Sequence, residues 1–325
     1  MYSAWGMGAW RPKAAATKFM VTRADLVSAL THTQLSPGAR QKLERIFDSQ
    51  ACPTLISRHD AEEISKETRL QTARLMMELL PVAQLFSVSP ISNFKVGAVA
   101  RGLSGNLYFG SNMEFVGEAL SFCTHGEQSA TVNAWVHGEK GIDALAINYA
   151  PCGYCRQFLN ELGTAARLEI LLPDKPAIPL SQLLPEAFGP QNLNVNGGLM
   201  QTQGETLVLE TESKDPAVLV ALAAANLSYA PYSKSRAGVA LATRSGEIYT
   251  GPYAENAAYN PSISPMESAL AHLTMCLGAF DDISRAVLVQ QRSKLCLQID
   301  ASRAVLKSVS QVPLEIHFAR EQRQS

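Results

Sequence analysis

Cysteine is scarce in this sequence. Six in 325 residues, Cys52, Cys123, Cys152, Cys155, Cys276 and Cys296, are too few and too scattered for the disulfide framework of a secreted module, so a reducing compartment is expected. Excess charge of either sign is also missing. With 28 Lys and Arg against 29 Asp and Glu, the formal net charge is −1, which counts against nucleic acid as a partner, because phosphate-neutralising domains carry a visible surplus of basic residues. No apolar run reaches the length of a membrane span, and the opening MYSAWGMGAWRPK places its basic residues after a weak apolar stretch, the reverse of a secretory signal. The expectation is a cytoplasmic chain with no membrane partner. Residues 1–20 read either as a disordered extension or as an upstream start ahead of Met20.

What is present is ordinary globular material. Hydrophobic residues make up 46% and charged residues 18%, enough to bury a sizeable core, and the length suits two domains plus an extra segment. Thr22 with Asp25 has the spacing of a capping pair, and Ser36-Pro37 sets a capping hydroxyl before a proline at the first helical position. From about Asp60 to Leu80, Leu70, Ala73, Met77 and Leu80 recur at three- and four-residue steps, and Pro81 stops the pattern, so a packing helix is expected before it. Phe94 to Ala100 and Leu107 to Gly110 read as strands joined by a turn at Gly102 to Gly105. A helix follows within Gly117 to His137, then a buried strand at Ala144 to Tyr149, a helix at Cys152 to Leu162 and a strand at Leu168 to Leu172. This alternation implies an α/β fold, a three-layer α/β/α sandwich on a mixed sheet.

The strongest organisational signal is an internal repeat. An offset of 141 pairs Pro90 with Pro231, Ser92 with Ser233, Gly97 with Gly238, Gly105 with Gly246, Tyr108 with Tyr249, Gly110 with Gly251 and Glu114 with Glu255. These are mostly backbone-permissive residues, so what is repeated is a fold. The expected division is a helical segment over 1–80, a chemically equipped copy over 81–190 and a degenerate copy over 191–325. Around His125-Gly126-Glu127 the second copy reads Pro265-Met266-Glu267 after a one-residue gap, and it has no counterpart of Cys152 or Cys155.

Three features carry the chemistry: His125-x-Glu127, Pro151-Cys152-x-x-Cys155, and Asn112-x-Glu114 upstream. One histidine and two cysteines make the three-ligand set of a catalytic zinc that keeps its fourth position open. Such a zinc lowers the pKa of its water to roughly 7, and Glu127, two residues beyond the ligand, is placed to collect that proton. Two thiolates and a neutral imidazole also balance the dication. A lone Cys-x-x-Cys would by itself suit a redox dithiol or a structural zinc, and Cys123 is a rival fourth ligand that would close the site. The His-x-Glu upstream favours the catalytic reading. His137 and His272 fall outside every motif and read as surface or packing residues.

The pattern H-x-E followed by P-C-x-x-C is that of zinc base deaminases. The stretches SPISNFKVGAVARG, NLYFGSNMEF, EQSA, NYAPCGYCRQFLNELG and LLPEAFGP resemble the large, homodimeric class of cytidine deaminases, and YAPYSKSRAGVAL with YAENAAYNP is similar to that class's C-terminal domain. The resemblance covers residues 20 to 325. It implies hydrolysis of cytidine and 2′-deoxycytidine to the uracil nucleosides in pyrimidine salvage, through a zinc-bound hydroxide attacking C4 with Glu127 as proton shuttle. It also implies a homodimer and a set of nucleoside contacts: Asn112, Met113 and Glu114 at the sugar, Phe94 beside the pyrimidine, Gly126 through its backbone where the family usually has alanine, and Phe188 across the dimer. The alternatives left open are a deaminase of nucleotides or nucleic acid, an impaired interaction protein on the same fold, and a dithiol redox protein.

Overall fold

The computed structural model describes residues 21–201 and 205–322, so the expectations for residues 1–20 lie outside it. The chain opens with α1 (Arg23–Leu30) and α2 (Pro37–Ser49). Both start as their sequences require. Asp25 N–H donates to Thr22 Oγ1 at 3.2 Å while Thr22 N–H donates back to the Asp25 carboxylate at 2.8 Å, and Ala39 N–H donates to Ser36 Oγ at 3.2 Å. After β1 (Leu55–Ile56), the helix expected before Pro81 is broken into α3 (Arg58–Thr68), α4 (Thr72–Glu78) and α5 (Leu80–Gln84). Arg69 turns the chain in a left-handed conformation, φ 58°. Pro81 lies in the first turn of α5, where its missing N–H has no intrahelical partner to lose. It begins a helix where the periodicity had it ending one.

Next come β2 (Gly97–Gly102), β3 (Leu107–Ser111), α6 (Gly126–Val136), β4 (Ile142–Ile147), α7 (Gly153–Leu159), β5 (Glu169–Leu171), β6 (Ile178–Pro179) and α8 (Leu180–Leu183). The second half runs β7 (Leu207–Leu209), α9 (Pro216–Leu227), β8 (Ala237–Thr243), β9 (Ile248–Pro252), α10 (Pro265–Met275), β10 (Ile283–Gln291), α11 (Ile299–Val309) and β11 (Leu314–Glu321). Two mixed sheets result, ordered β1-β3-β2-β4-β5-β6 and β7-β11-β10-β8-β9. In each, a hairpin (β2–β3, β8–β9) lies antiparallel to the next strand, which pairs in parallel with the one after it (β4–β5, β10–β11).

Strand periodicity of two sorts each sheet's side chains into two cores. Ala98, Ala100, Leu145 and Ile147 pack with Ala130 and Ala134 of α6 and with Phe158 and Leu159 of α7, while Val99, Ala144 and Ala146 pack with Leu79, Val82 and Ala83 on the opposite face. The second copy repeats this, with Val239 and Leu241 against α10 and Ala240, Val287 and Val289 against α9. Each copy is therefore a three-layer sandwich.

Backbone contacts fix the true register of the repeat. A Cβ on Gly110 would lie 2.2 Å from Ala130 N and 2.5 Å from Gly126 O, and one on Gly251 would lie 2.1 Å from Ala269 N and 2.3 Å from Pro265 O. The offset of 141 at these glycines has thus shrunk to 139 at the helices. Gly126 matches Pro265 and Gln128 matches Glu267, so the one-residue gap expected from sequence is two residues and Glu267 is not the counterpart of Glu127. The caps agree: His125 N–H donates to Gln128 Oε1 at 3.0 Å, and Ser264 N–H to Glu267 Oε2 at 2.9 Å.

The copies join through buried polar contacts as well as apolar ones. Glu161, fully buried, accepts from Tyr229 Oη at 2.7 Å, Tyr232 Oη at 2.5 Å and Ala257 N–H at 2.8 Å.

Candidate active site and metal centre

The first copy's loops leave β3 and β4 and enter α6 and α7 at one place. Beyond β3, Met113 and Thr124 exchange backbone hydrogen bonds at 2.8 and 2.9 Å, which sets the next residue, His125, as the cap of α6. Cys152 caps α7, and Cys155 follows it into the buried interior. Their donor atoms converge: one atom each from His125, Cys152 and Cys155 lies within 4.8 Å of the others, with His125 Nδ1 3.7 Å from Cys152 Sγ. Zinc bonds of about 2.0–2.3 Å in a tetrahedron separate donors by roughly 3.5 Å, so this set fits zinc. Cys123 lies outside the group, which leaves three protein ligands among the described residues. The Tyr154 ring stacks on the imidazole at 5.2 Å, and its hydroxyl donates to Asn260 O of the second copy at 2.9 Å.

The local electrostatics suit a dication. A hydrogen bond from Cys155, joined by one from His125, draws the Cys152 thiol down to about 3. Burial and the Cys152 sulfur push Cys155 well up. A dication held by both sulfurs would favour their thiolate forms. Glu127, buried at 3% exposure, has its carboxyl raised by desolvation and is in hydrogen-bonding contact with Cys155. A carboxyl of raised pKa beside a metal ligand set is suited to passing protons near neutral pH. The second copy adds Glu267, which burial raises to about 7 and whose charge reaches His125.

Comparisons with known proteins decide the family. Two stretches, residues 70–170 and 180–303, match the family described as the cytidine and deoxycytidylate deaminase zinc-binding region. A cytidine deaminase of Aliivibrio fischeri is 45% identical over 79% of this chain and 86% of its own length. Those of Aeromonas salmonicida and Cronobacter sakazakii are 44% and 42% identical over 90% and 87% of this chain, and 96% and 95% of their own. The chain belongs to the cytidine and deoxycytidylate deaminase family.

This member of the deaminase family holds the other residues singled out in its sequence by local contacts. Asn112 Oδ1 accepts from Ser87 Oγ at 2.6 Å and Val96 N–H at 2.9 Å, while its Nδ2 donates to Phe94 O at 2.8 Å. Glu114 accepts from Ile91 N–H at 2.7 Å, Ser92 N–H at 3.0 Å and Ser92 Oγ. Glu255 holds Tyr232 N–H, Ser233 N–H and Ser233 Oγ in the same way. The carboxylate clamp is thus part of the repeated frame, present even where the metal ligands are not. Phe94, 48% exposed, lies 4.5 Å from the exposed Tyr149 ring. Met113 sends its side chain into the second copy's core and offers only backbone here. Phe188 is exposed, and its carbonyl accepts from Gln157 at 2.8 Å and Asn160 at 3.1 Å, which ties its loop to α7.

Sequence reasoning missed Tyr149, Tyr154 and the placement of Glu267. Tyr154 lies inside Cys152-x-x-Cys155 and could have been suspected from its position alone. Glu267 could not, because the apparent register matched it with the wrong residue.

Proposed function

We propose that this chain hydrolyses cytidine and 2′-deoxycytidine to uridine and 2′-deoxyuridine, releasing ammonia, and serves pyrimidine salvage in the cytoplasm. The observation that carries this reading is the convergence of His125, Cys152 and Cys155 beside the buried Glu127, with Cys123 outside the group. The curated relatives bear the same activity in their names. The three ligands would hold one zinc, which supplies the Lewis acidity that makes water a nucleophile near neutral pH. Glu127 takes one proton of the attacking water and passes it to N3 of the pyrimidine as the C4–O bond forms, then takes the second proton from the C4 hydroxyl and gives it to the amine as the C4–N bond breaks and the C4 carbonyl forms.

On this reading 81–190 is the catalytic copy and 191–325 the copy that keeps the frame without ligands, while of the segment expected over 1–80 the described part, from residue 21, carries α1 to α4 and the short strand β1. Phe94 with Tyr149 is a wall on which the pyrimidine stacks. Asn112 and Glu114 recognise the sugar, Met113 and Gly126 act through their backbone, and Phe188 reaches the site of a partner in a homodimer. A carboxylate at the sugar disfavours a neighbouring phosphate, and the near-neutral chain carries no surplus of basic residues, so the free nucleoside is preferred to a nucleotide or to single-stranded nucleic acid. Among the described residues no helix is long and apolar enough to cross a membrane.

The test is ultraviolet assay of cytidine, its monophosphate and a cytosine-containing DNA oligonucleotide, with metal analysis alongside. Glu127→Ala should retain zinc and lose about 10³-fold or more in turnover. An unchanged rate, or turnover of the oligonucleotide above that of the nucleoside, would remove the assignment.

A further inference from the structure

A second convergence of metal-binding side chains lies at the junction of the two copies, apart from the site above. Cys52 comes from the loop before β1, His137 from the C-terminal cap of α6, and His272 and Cys276 from one face of α10, four residues apart. One donor atom from each lies within 4.8 Å of the other three. His137 and His272, which the sequence left as surface or packing residues, meet edge to face at 5.5 Å.

We propose that these four residues form a structural zinc site of two cysteines and two histidines, which clamps the N-terminal segment and the two copies together. Four protein donors of this kind complete a tetrahedron, so the site is closed and has no position for substrate. With the cysteines reduced, binding releases the two thiol protons and leaves two thiolates, two neutral imidazoles and a dication, a sum of zero; no electron is transferred.

The surroundings are those of a prepared site. His137 Nδ1 lies 2.7 Å from Asn133 O and His272 Nδ1 lies 3.1 Å from Thr250 O. Donation of Nδ1–H to Asn133 O leaves the Nε2 lone pair of His137 for the cation, the usual arrangement around a ligating histidine, while His272 Nδ1 is within reach of both Thr250 N–H and Thr250 O at 3.1 Å. The Cys52 loop is held against the end of α10 by Thr54 Oγ1 donating to Met275 O at 3.0 Å, and against α6 by Asn133 Nδ2 donating to Thr54 Oγ1 at 3.1 Å. Cys52, His272 and Cys276 line a cleft of about 730 Å³, an entry path from solvent. The structure joins Cys52 and Cys276 in a disulfide, so zinc binding requires its two-electron reduction to two thiols, which a thiol reductant supplies. Opening the sulfur pair to about 3.8 Å suffices for zinc.

Metal analysis of the full-length chain, purified under reductant, decides the matter. Close to two equivalents of zinc are expected in the wild type, about one in Cys276→Ser and in His137→Gln, and about one in the double variant Cys152→Ser with Cys155→Ser. Cobalt loaded into that double variant should still show thiolate-to-cobalt charge-transfer absorption, which Cys276→Ser abolishes. The first site's zinc reports folding in the junction variants. A wild type holding about one equivalent that vanishes with Cys152 and Cys155, or a Cys52–Cys276 disulfide found by mass spectrometry in the metal-loaded chain, would overturn the proposal while leaving the deaminase reading intact.

Discussion

At the residue scale, two glycines near the active site differ in what they tolerate. A Cβ on Gly110 would meet backbone atoms of α6 at 2.2 and 2.5 Å, whereas one on Gly126 would meet a methyl of Val96 at 2.9 Å. Backbone cannot rotate away, but a side chain can adjust. Gly110→Ala should therefore destabilise by about 3 kcal/mol or more, as severe overpacking does. Gly126→Ala, at the first position of α6, should change stability by less than about 1 kcal/mol, its gain in helix propensity offsetting the adjustment of Val96. Urea midpoints of the two variants check this, and equal losses would show that the α6–β3 contact yields more easily than the backbone distances imply.

At the element scale, α6 and α10 start alike but are capped by different chemistry. Gln128 caps α6 with a neutral amide, whereas the matching Glu267 caps α10 with a carboxylate that burial raises from its ordinary 4.5 to about 7. A raised carboxyl binds its proton more tightly in the folded chain than in the unfolded one. Stability tied to that proton is present below about pH 4.5 and is lost as pH rises through about 7. Glu267→Gln copies the α6 cap and abolishes this titration. Its Tm should match the wild type at about pH 4.5 and exceed it at about pH 8, by the equivalent of up to about 3 kcal/mol. A Tm difference that does not change with pH would mean the carboxyl is not titrating in this range. Helix starts were legible here because capping is local: Thr22 and Asp25 made their reciprocal bonds, and Ser36 ahead of Pro37 accepted from Ala39 N–H, as the spacing required. Pro81 was misread because periodicity alone does not distinguish a helix that ends at a proline from one that begins there.

At the scale of the whole molecule, the two copies depend on Glu161. Its carboxylate serves two tyrosine hydroxyls and a backbone N–H of the second copy. Removing it leaves the buried Tyr229 hydroxyl and Ala257 N–H and the half-buried Tyr232 hydroxyl without an acceptor, a desolvation penalty of about 1–3 kcal/mol for each buried group. Glu161→Ala should lose at least about 3 kcal/mol and split the urea transition into two phases, one for each copy, while Glu161→Gln recovers part of the loss. A single transition at the wild-type midpoint would show that apolar packing between α6 and α10 suffices to hold the copies together.

The sequence alone established the alternation of strands and helices and the duplication, and it picked out His125, Cys152 and Cys155, whose donor atoms the fold brings together. Each of these rests on local periodicity, on residues a few positions apart, or on donor chemistry that few side chains can supply. Tertiary structure decided the rest. The repeat's register at α6 and α10 depends on backbone contact between a glycine and a helix, which residue identity does not report. Glu267 beside His125, Tyr149 against Phe94, and the meeting of Cys52 with His137, His272 and Cys276 join segments up to 224 residues apart. No pattern along the chain marks such pairs, because only the packing of one sheet and helix layer on another brings them within reach.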